Sequence, residues 1–102
     1  LKRERTHLKF RANIEGTIEI LAGPEFALGK SHRAAILLSV GNALRKKKGG
    51  IFVSDFHKQR IQDILELVQN ELNPVFFDQA WERGQQMSFE EAITFALEEV
   101  RP

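Results

Sequence analysis

The sequence predicts an all-α fold of about five helices packed as antiparallel helical hairpins, and three observations carry that expectation. Apolar residues recur at three- and four-residue spacing along most of the chain. No stretch of four or more residues alternates between apolar and polar as a half-buried strand does. Helix start and stop signals separate the periodic stretches from one another.

The first helix is expected over residues 5–22, where Phe10, Ile14, Ile18 and Leu21 or Ala22 share one face. Gly23-Pro24 ends or kinks it, because proline lacks an N–H donor and clashes with the preceding turn. The second helix begins with Ser31 as N-cap and runs through Ala34, Leu37, Leu38, Gly41 and Leu44 into the run Arg45-Lys46-Lys47-Lys48. Cations suit a helix C-terminus, and Gly49-Gly50 supplies the stop. Ile51 to Val53 form a short apolar connector able to dock on the core.

Ser54 caps the third helix, with Asp55 in its first turn and Ile61, Ile64, Leu65, Val68 and Leu72 as its apolar stripe. Asn73-Pro74 reads as an N-cap followed by proline at the first helical position, opening a fourth helix with Phe76, Phe77, Ala80 and Trp81 inward and Gly84 at its end. Ser88 and Glu91 have the spacing of a capping box. The fifth helix follows, with Phe89, Ala92, Ile93, Ala96, Leu97 and Val100 on its buried side. Gly16, Ala34, Ala35 and Gly41 predict close helix-to-helix approach.

A chain of 102 residues supports one domain, 1–102, divided into a first hairpin over 1–48 and a C-terminal three-helix part over 54–102. It starts at Leu1 and ends at Pro102, which reads as a piece of a longer polypeptide. The absence of cysteine removes disulfides, thiol nucleophiles and cysteine-based zinc sites. Hydrophobic residues at 42% and charged ones at 28% place the chain among globular domains rather than disordered ones. No apolar run approaches the length of a membrane span, and residues 1–11 carry basic side chains without the apolar core of a signal peptide, so the expected location is cytoplasmic.

The net charge of +1 conceals an asymmetry: residues 1–48 hold 11 Lys and Arg against 4 Asp and Glu, and residues 49–102 hold 4 against 10. Either the basic half meets an acidic partner, or the two halves attract each other or neighbouring segments of the parent protein. Lys2, Arg3, Arg5, Lys9, Arg45, Lys46, Lys47 and Lys48 are the candidate contacts to a partner or to phosphate. The aromatics near them are few, and Phe10 has core spacing with Ile14, so a base-stacking surface is the lesser alternative to a solvated face and a helix C-cap.

Catalysis finds little support. His7, His32 and His57 fall on three different helices without metal-ligand spacing, and Asp55 and His57, two residues apart, diverge around their helix. Glu90-Glu91 and Glu98-Glu99 read as a cap and a solvated face. Gly29-Lys30-Ser31 lacks the upstream glycine of a phosphate-binding loop. Trp81, at helical spacing with Phe77 and Gly84, reads as a core residue before an interface anchor. The sequence therefore predicts no catalytic residues, no cofactor and no metal.

The segment FFDQAWERGQQMSFEEAI, residues 76–93, resembles the ending of tetratricopeptide-like helical regions in large bacterial signalling ATPases and LuxR-type transcriptional regulators. Phe77, Ala80, Trp81, Gly84, Met87, Ser88, Glu90, Glu91 and Ala92 carry the likeness. Upstream, Leu21-Ala22-Gly23, Gly29, Arg33-Ala34-Ala35, Leu37-Leu38 and Ala43-Leu44-Arg45 are similar to the preceding helical repeat. The likeness implies a non-enzymatic interaction and regulatory module, with any nucleotide-binding or DNA-binding head outside these residues. Its expected partners are other domains of the parent protein, another protein or, through the first hairpin, a second copy. A small nucleic-acid-binding domain using the basic half is the rival.

Overall fold

The computed structural model describes residues 14–98, and every regular element among them is helical. In chain order these are α1 (Ile14–Ile20), α2 (Ala22–Ala27), α3 (Ser31–Lys47), α4 (Asp55–Glu71), α5 (Pro74–Gln86) and α6 (Phe89–Glu98). α1 lies within the expected first helix, and α2, separated from it by Leu21 alone, runs on through Gly23-Pro24, past the expected end at Ala22. Phe10 and Val100 lie outside the described residues.

Proline 24 acts upstream of its own position. It sits inside α2 rather than ending a helix, and the break falls just after Ile20, the residue four positions before it. The ring crowds that carbonyl and offers it no N–H, so the helix restarts at Ala22 with Pro24 in its first turn, where no donor is required. α2 then stops at Gly29 (φ 81°), whose N–H reaches the Phe26 carbonyl at 2.9 Å while Lys30 N–H reaches that of Glu25 at 2.9 Å. This paired 5→2 and 6→1 pattern is a Schellman stop, and it assigns Gly29 a structural role. Gly49 and Gly50 close α3 the same way, on Lys46 and Arg45. Ser31 is not the N-cap of α3: Lys30 holds that place without a side-chain cap bond, and Ser31 is buried as the first helical residue.

α3 is the hub. Every residue from 34 to 41 is buried, which requires neighbours on all sides of the helix. α1 and α2 cover one side, α5 another, and α4 and α6 complete the enclosure. The main partner of α5 is α3 rather than its chain neighbour α4, so the elements gather around one central helix. Ile18, Ala22, Leu37, Leu38, Val68, Ala80 and Ala92 meet in this core.

Gly84 lies within α5, which continues to Gln86. Its lack of a side chain lets α5 approach α3, since a Cβ there would sit 2.5 Å from Ser39 Cβ and 2.8 Å from the Ile36 carbonyl oxygen. Beside it, Ser39 Oγ donates to the Trp81 carbonyl and Gln85 Nε2 donates to Ser39 O at 3.0 Å. The inward face of α5 is Phe77, Ala80, Trp81 and Gly84, and Phe77 stacks on Trp81 with centroids 5.6 Å apart. Phe76 lies about 100° away from Phe77 around the helix and is exposed, contrary to expectation. On α6, Ala92, Phe95 and Ala96 are buried, while the expected Phe89 and Leu97 face solvent.

The predicted caps of the later helices are present. Ser54 Oγ accepts from His57 N–H at 3.1 Å, and Asn73 Oδ1 accepts from Val75 N–H at 2.8 Å. At α6, Glu91 Oε1 accepts from Ser88 N–H at 2.9 Å while Ser88 Oγ accepts from Glu91 N–H at 3.1 Å. The Ser88 backbone N–H, and then its side chain, hold the Glu91 carboxyl below its ordinary 4.5. A carboxyl lowered by folding adds stability that is complete above 4.5 and is lost as pH falls through the folded value. An NMR titration of Glu91 is expected to give a midpoint below 4.5 and the Glu91→Gln chain a flatter acid limb; a midpoint at or above 4.5 contradicts the cap.

Candidate functional site

The C-terminal end of α3, the face of α1 packed against it and the start of α4 converge on a cluster of charged groups. Gly41 allows it, because a Cβ there would fall 2.1 Å from Glu19 Cγ and 2.9 Å from the Glu15 carbonyl oxygen. With nothing on that face of α3, α1 packs close and its two acids turn inward: Glu15 is 5% and Glu19 1% exposed. Arg45, 4% exposed, meets Glu19 in a two-pronged pair, with Nη1 donating to Oε2 at 2.8 Å and Nη2 donating to Oε1. Lys48 Nζ pairs with Glu15 Oε2 at 2.9 Å. The Arg45 guanidinium also lies 3.8 Å from the centre of the Phe52 ring, and Lys58 Nζ lies 5.9 Å from it.

His57 joins the same cluster. Its Nε2 is 3.8 Å from Glu19 Oε1, and its ring is tilted against Phe52 at 6.4 Å. Packing thus brings a carboxylate of α1 beside His57, whose buried Nε2 makes no hydrogen bond among the described residues. Ser54 orients this part of α4 by accepting the His57 N–H. Two carboxylates and two cations balance here, and the pairs tie α1 to the end of α3.

The candidate contacts divide accordingly. Lys2, Arg3, Arg5 and Lys9 lie outside the described residues. Arg45 is internal and engaged by Glu19, which corrects its assignment to a surface contact: a guanidinium enclosed by α1, α3 and Phe52 cannot reach a phosphate. Lys48 pairs with Glu15, and Lys46 and Lys47 are exposed. The sequence reading missed Glu15 and Glu19 as buried partners. The signal was there in form: two acids four residues apart, each next to a core isoleucine, on a helix otherwise read as basic.

The connector after α3 behaves differently from expectation. Only Phe52 turns inward, toward Arg45, so the residues on either side of it turn out: Ile51 is 78% and Val53 66% exposed, and Phe56 in the first turn of α4 is 78% exposed. The connector is fastened before by the Gly49-Gly50 stop and after by the Ser54 cap. Among the described residues no three His, Asp or Glu side chains gather as metal ligands, and no helix is long and apolar enough to cross a membrane. No family model, no curated protein and no solved structure matches this chain.

Proposed function

We propose that this chain is a non-catalytic protein-interaction module whose docking edge is formed by Ile51, Val53 and Phe56. The observation that carries the proposal is the exposure of Ile51 and Val53 on a connector held at both ends and pinned in the middle by Phe52, together with that of Phe56 in the adjoining first turn of α4. Scattered apolar residues on a surface need no explanation, but three within one short fixed segment form a patch that another protein can cover without first ordering the segment. Two of the four cations in the run 45–48 pair with carboxylates of α1, which supports a structural use of that charge over a phosphate-binding one. A regulatory role within a signalling or transcription-regulating protein is the fuller form of the proposal and is supported by the sequence resemblance alone.

The test is a photo-crosslinking residue placed at Phe56 in the whole protein in cells. A discrete protein adduct at 56, with none from Gln62 on the solvent side of α4, is the expected result. A nucleic-acid adduct, or micromolar binding of a labelled DNA duplex that falls steeply with salt, would move the function to the basic rival. Equal adducts at 56 and 62 would remove the docking edge.

A further inference from the structure

α5 and α6 enclose an open groove of about 800 Å³ whose lining includes Asp78, Glu82, Arg83, Met87 and Glu91. It continues into a second hollow of about 420 Å³, where Glu90, Phe95 and Glu98 join Arg83, Met87 and Glu91. The floor is apolar: Met87 is half-buried against the core, and the Phe95 ring is buried. The rim is acidic, with Asp78, Glu82, Glu90, Glu91 and Glu98 beside the lining cation Arg83, whose guanidinium lies 5.3 Å from the Phe95 ring centre, while the Arg33 guanidinium lies 4.1 Å from the same ring.

Local helix chemistry accounts for some of these acids and not for others. Glu91 closes the capping box, Glu90 suits the first turn of α6, and Glu82 accepts from Gln86 at 2.6 Å. Glu98 stands in the last turn of α6, where the helix dipole disfavours an anion, and Asp78 stands in the interior of α5. Among the described residues Asp78, Glu90 and Glu98 form no ion pair and no side-chain hydrogen bond. Carboxylates set around an apolar floor where they do nothing for their own helices are suited to an external cation.

We infer that this groove binds a Lys- and Arg-rich segment of a partner protein, with cations on Asp78 and Glu98 and an apolar side chain against Met87. The inference rests on the interaction-module proposal and names the chemistry of a partner at a second surface of the same module. Anionic ligands, including nucleic acid and phospholipid headgroups, are repelled by this rim. Single exposed ion pairs are weak and screened, so several must act together with the apolar contact, and binding must weaken with salt. Methionine suits such a seat because its unbranched side chain adapts to different apolar groups.

The test is fluorescence anisotropy of a short labelled peptide of alternating lysine and leucine, titrated with the whole protein at low salt. Micromolar binding is expected, weakened about tenfold or more by the double reversal Asp78→Lys with Glu98→Lys, and within about twofold of the original for Glu66→Lys on α4. A lysine–serine peptide is expected to bind less tightly than lysine–leucine, because it leaves Met87 uncovered. Amide shifts of the unaltered protein are expected to move along α5 and α6, a readout that does not depend on any variant folding. No binding would overturn the inference, and shifts centred elsewhere or an equal loss in Glu66→Lys would overturn it by leaving only general attraction to an acidic half. Any of these would leave the crosslink at Phe56 unaffected, whereas loss of that crosslink with peptide binding intact would remove the docking edge alone.

Discussion

Glu19→Ala is expected to remove about 3–5 kcal/mol of folding stability, the range found when one partner of a buried ion pair is deleted. The reason is what remains behind. Arg45 is 4% exposed, its Nε has no hydrogen-bond partner among the described residues, and Glu15 already serves Lys48. The Phe52 ring at 3.8 Å offers a cation–π contact of about 1–2 kcal/mol, too little to replace a two-pronged carboxylate. Domains of this size are stable by about 5–15 kcal/mol in all, so the substitution consumes a large share. Thermal melts should show a drop of about 4–8 °C per kcal/mol lost. Replacing both Glu19 and Arg45 by methionine is expected to cost far less than the sum of the single changes, because neither enclosed charge is then left without its partner. A loss under about 1 kcal/mol for Glu19→Ala would show that water reaches the pair and that the cluster does not hold α1 to α3.

Gly84→Ala is the second large effect, and its sign is opposite to that of helix propensity. Alanine in place of glycine in an exposed helix gains about 1 kcal/mol. Here the new Cβ would stand 2.5 Å from Ser39 Cβ, 2.7 Å from its Oγ and 2.8 Å from the Ile36 carbonyl oxygen. One of those atoms is backbone of the central helix and cannot turn aside, so α5 must move outward. That movement pulls on the Ser39 bonds to Trp81 and Gln85. Overpacking of this kind costs about 1–3 kcal/mol, leaving a net loss after the propensity gain. Gly23→Ala is the matched control: its Cβ would meet only Ile64 Cδ1 at 3.6 Å, an ordinary contact, so the change should be neutral or mildly stabilising. Denaturant midpoints that fall for position 84 and hold for position 23 are the expected pair. Equal midpoints would mean that the close approach of α5 to α3 is not required.

Capping and periodicity made much of the architecture legible in the residues. Ser54, Asn73 and the Ser88–Glu91 pair act within a few positions of themselves, so the bonds they make depend little on the rest of the fold. The stripe of Ile61, Ile64 and Val68 faces the core for the same reason, since a helix of period 3.6 aligns it wherever the helix is placed. The all-helical class follows from such local rules. Single ambiguous residues were harder: Gly29, read against a phosphate-loop pattern, is a helix stop, and Gly84, read as a helix end, is a point of contact between helices.

Which helix stands at the centre depends on packing between distant residues. α3 is buried on every side because five other helices from both ends of the described chain close around it, and its own pattern cannot specify which of them lie where. The candidate site shows the same limit more sharply. A lysine- and arginine-rich helix end and two glutamates 26 or more positions earlier look like surface charge when each is read alone. Arg45 and the two glutamates become buried and paired when Gly41 lets α1 approach, because the cost of removing charge from water is met by pairing that exists only in three dimensions. Caps, helix limits and amphipathic faces are short-range consequences of residue type; the enclosure of Arg45, the outward turn of Ile51 and Val53, and the acidic groove between α5 and α6 are consequences of which surfaces meet.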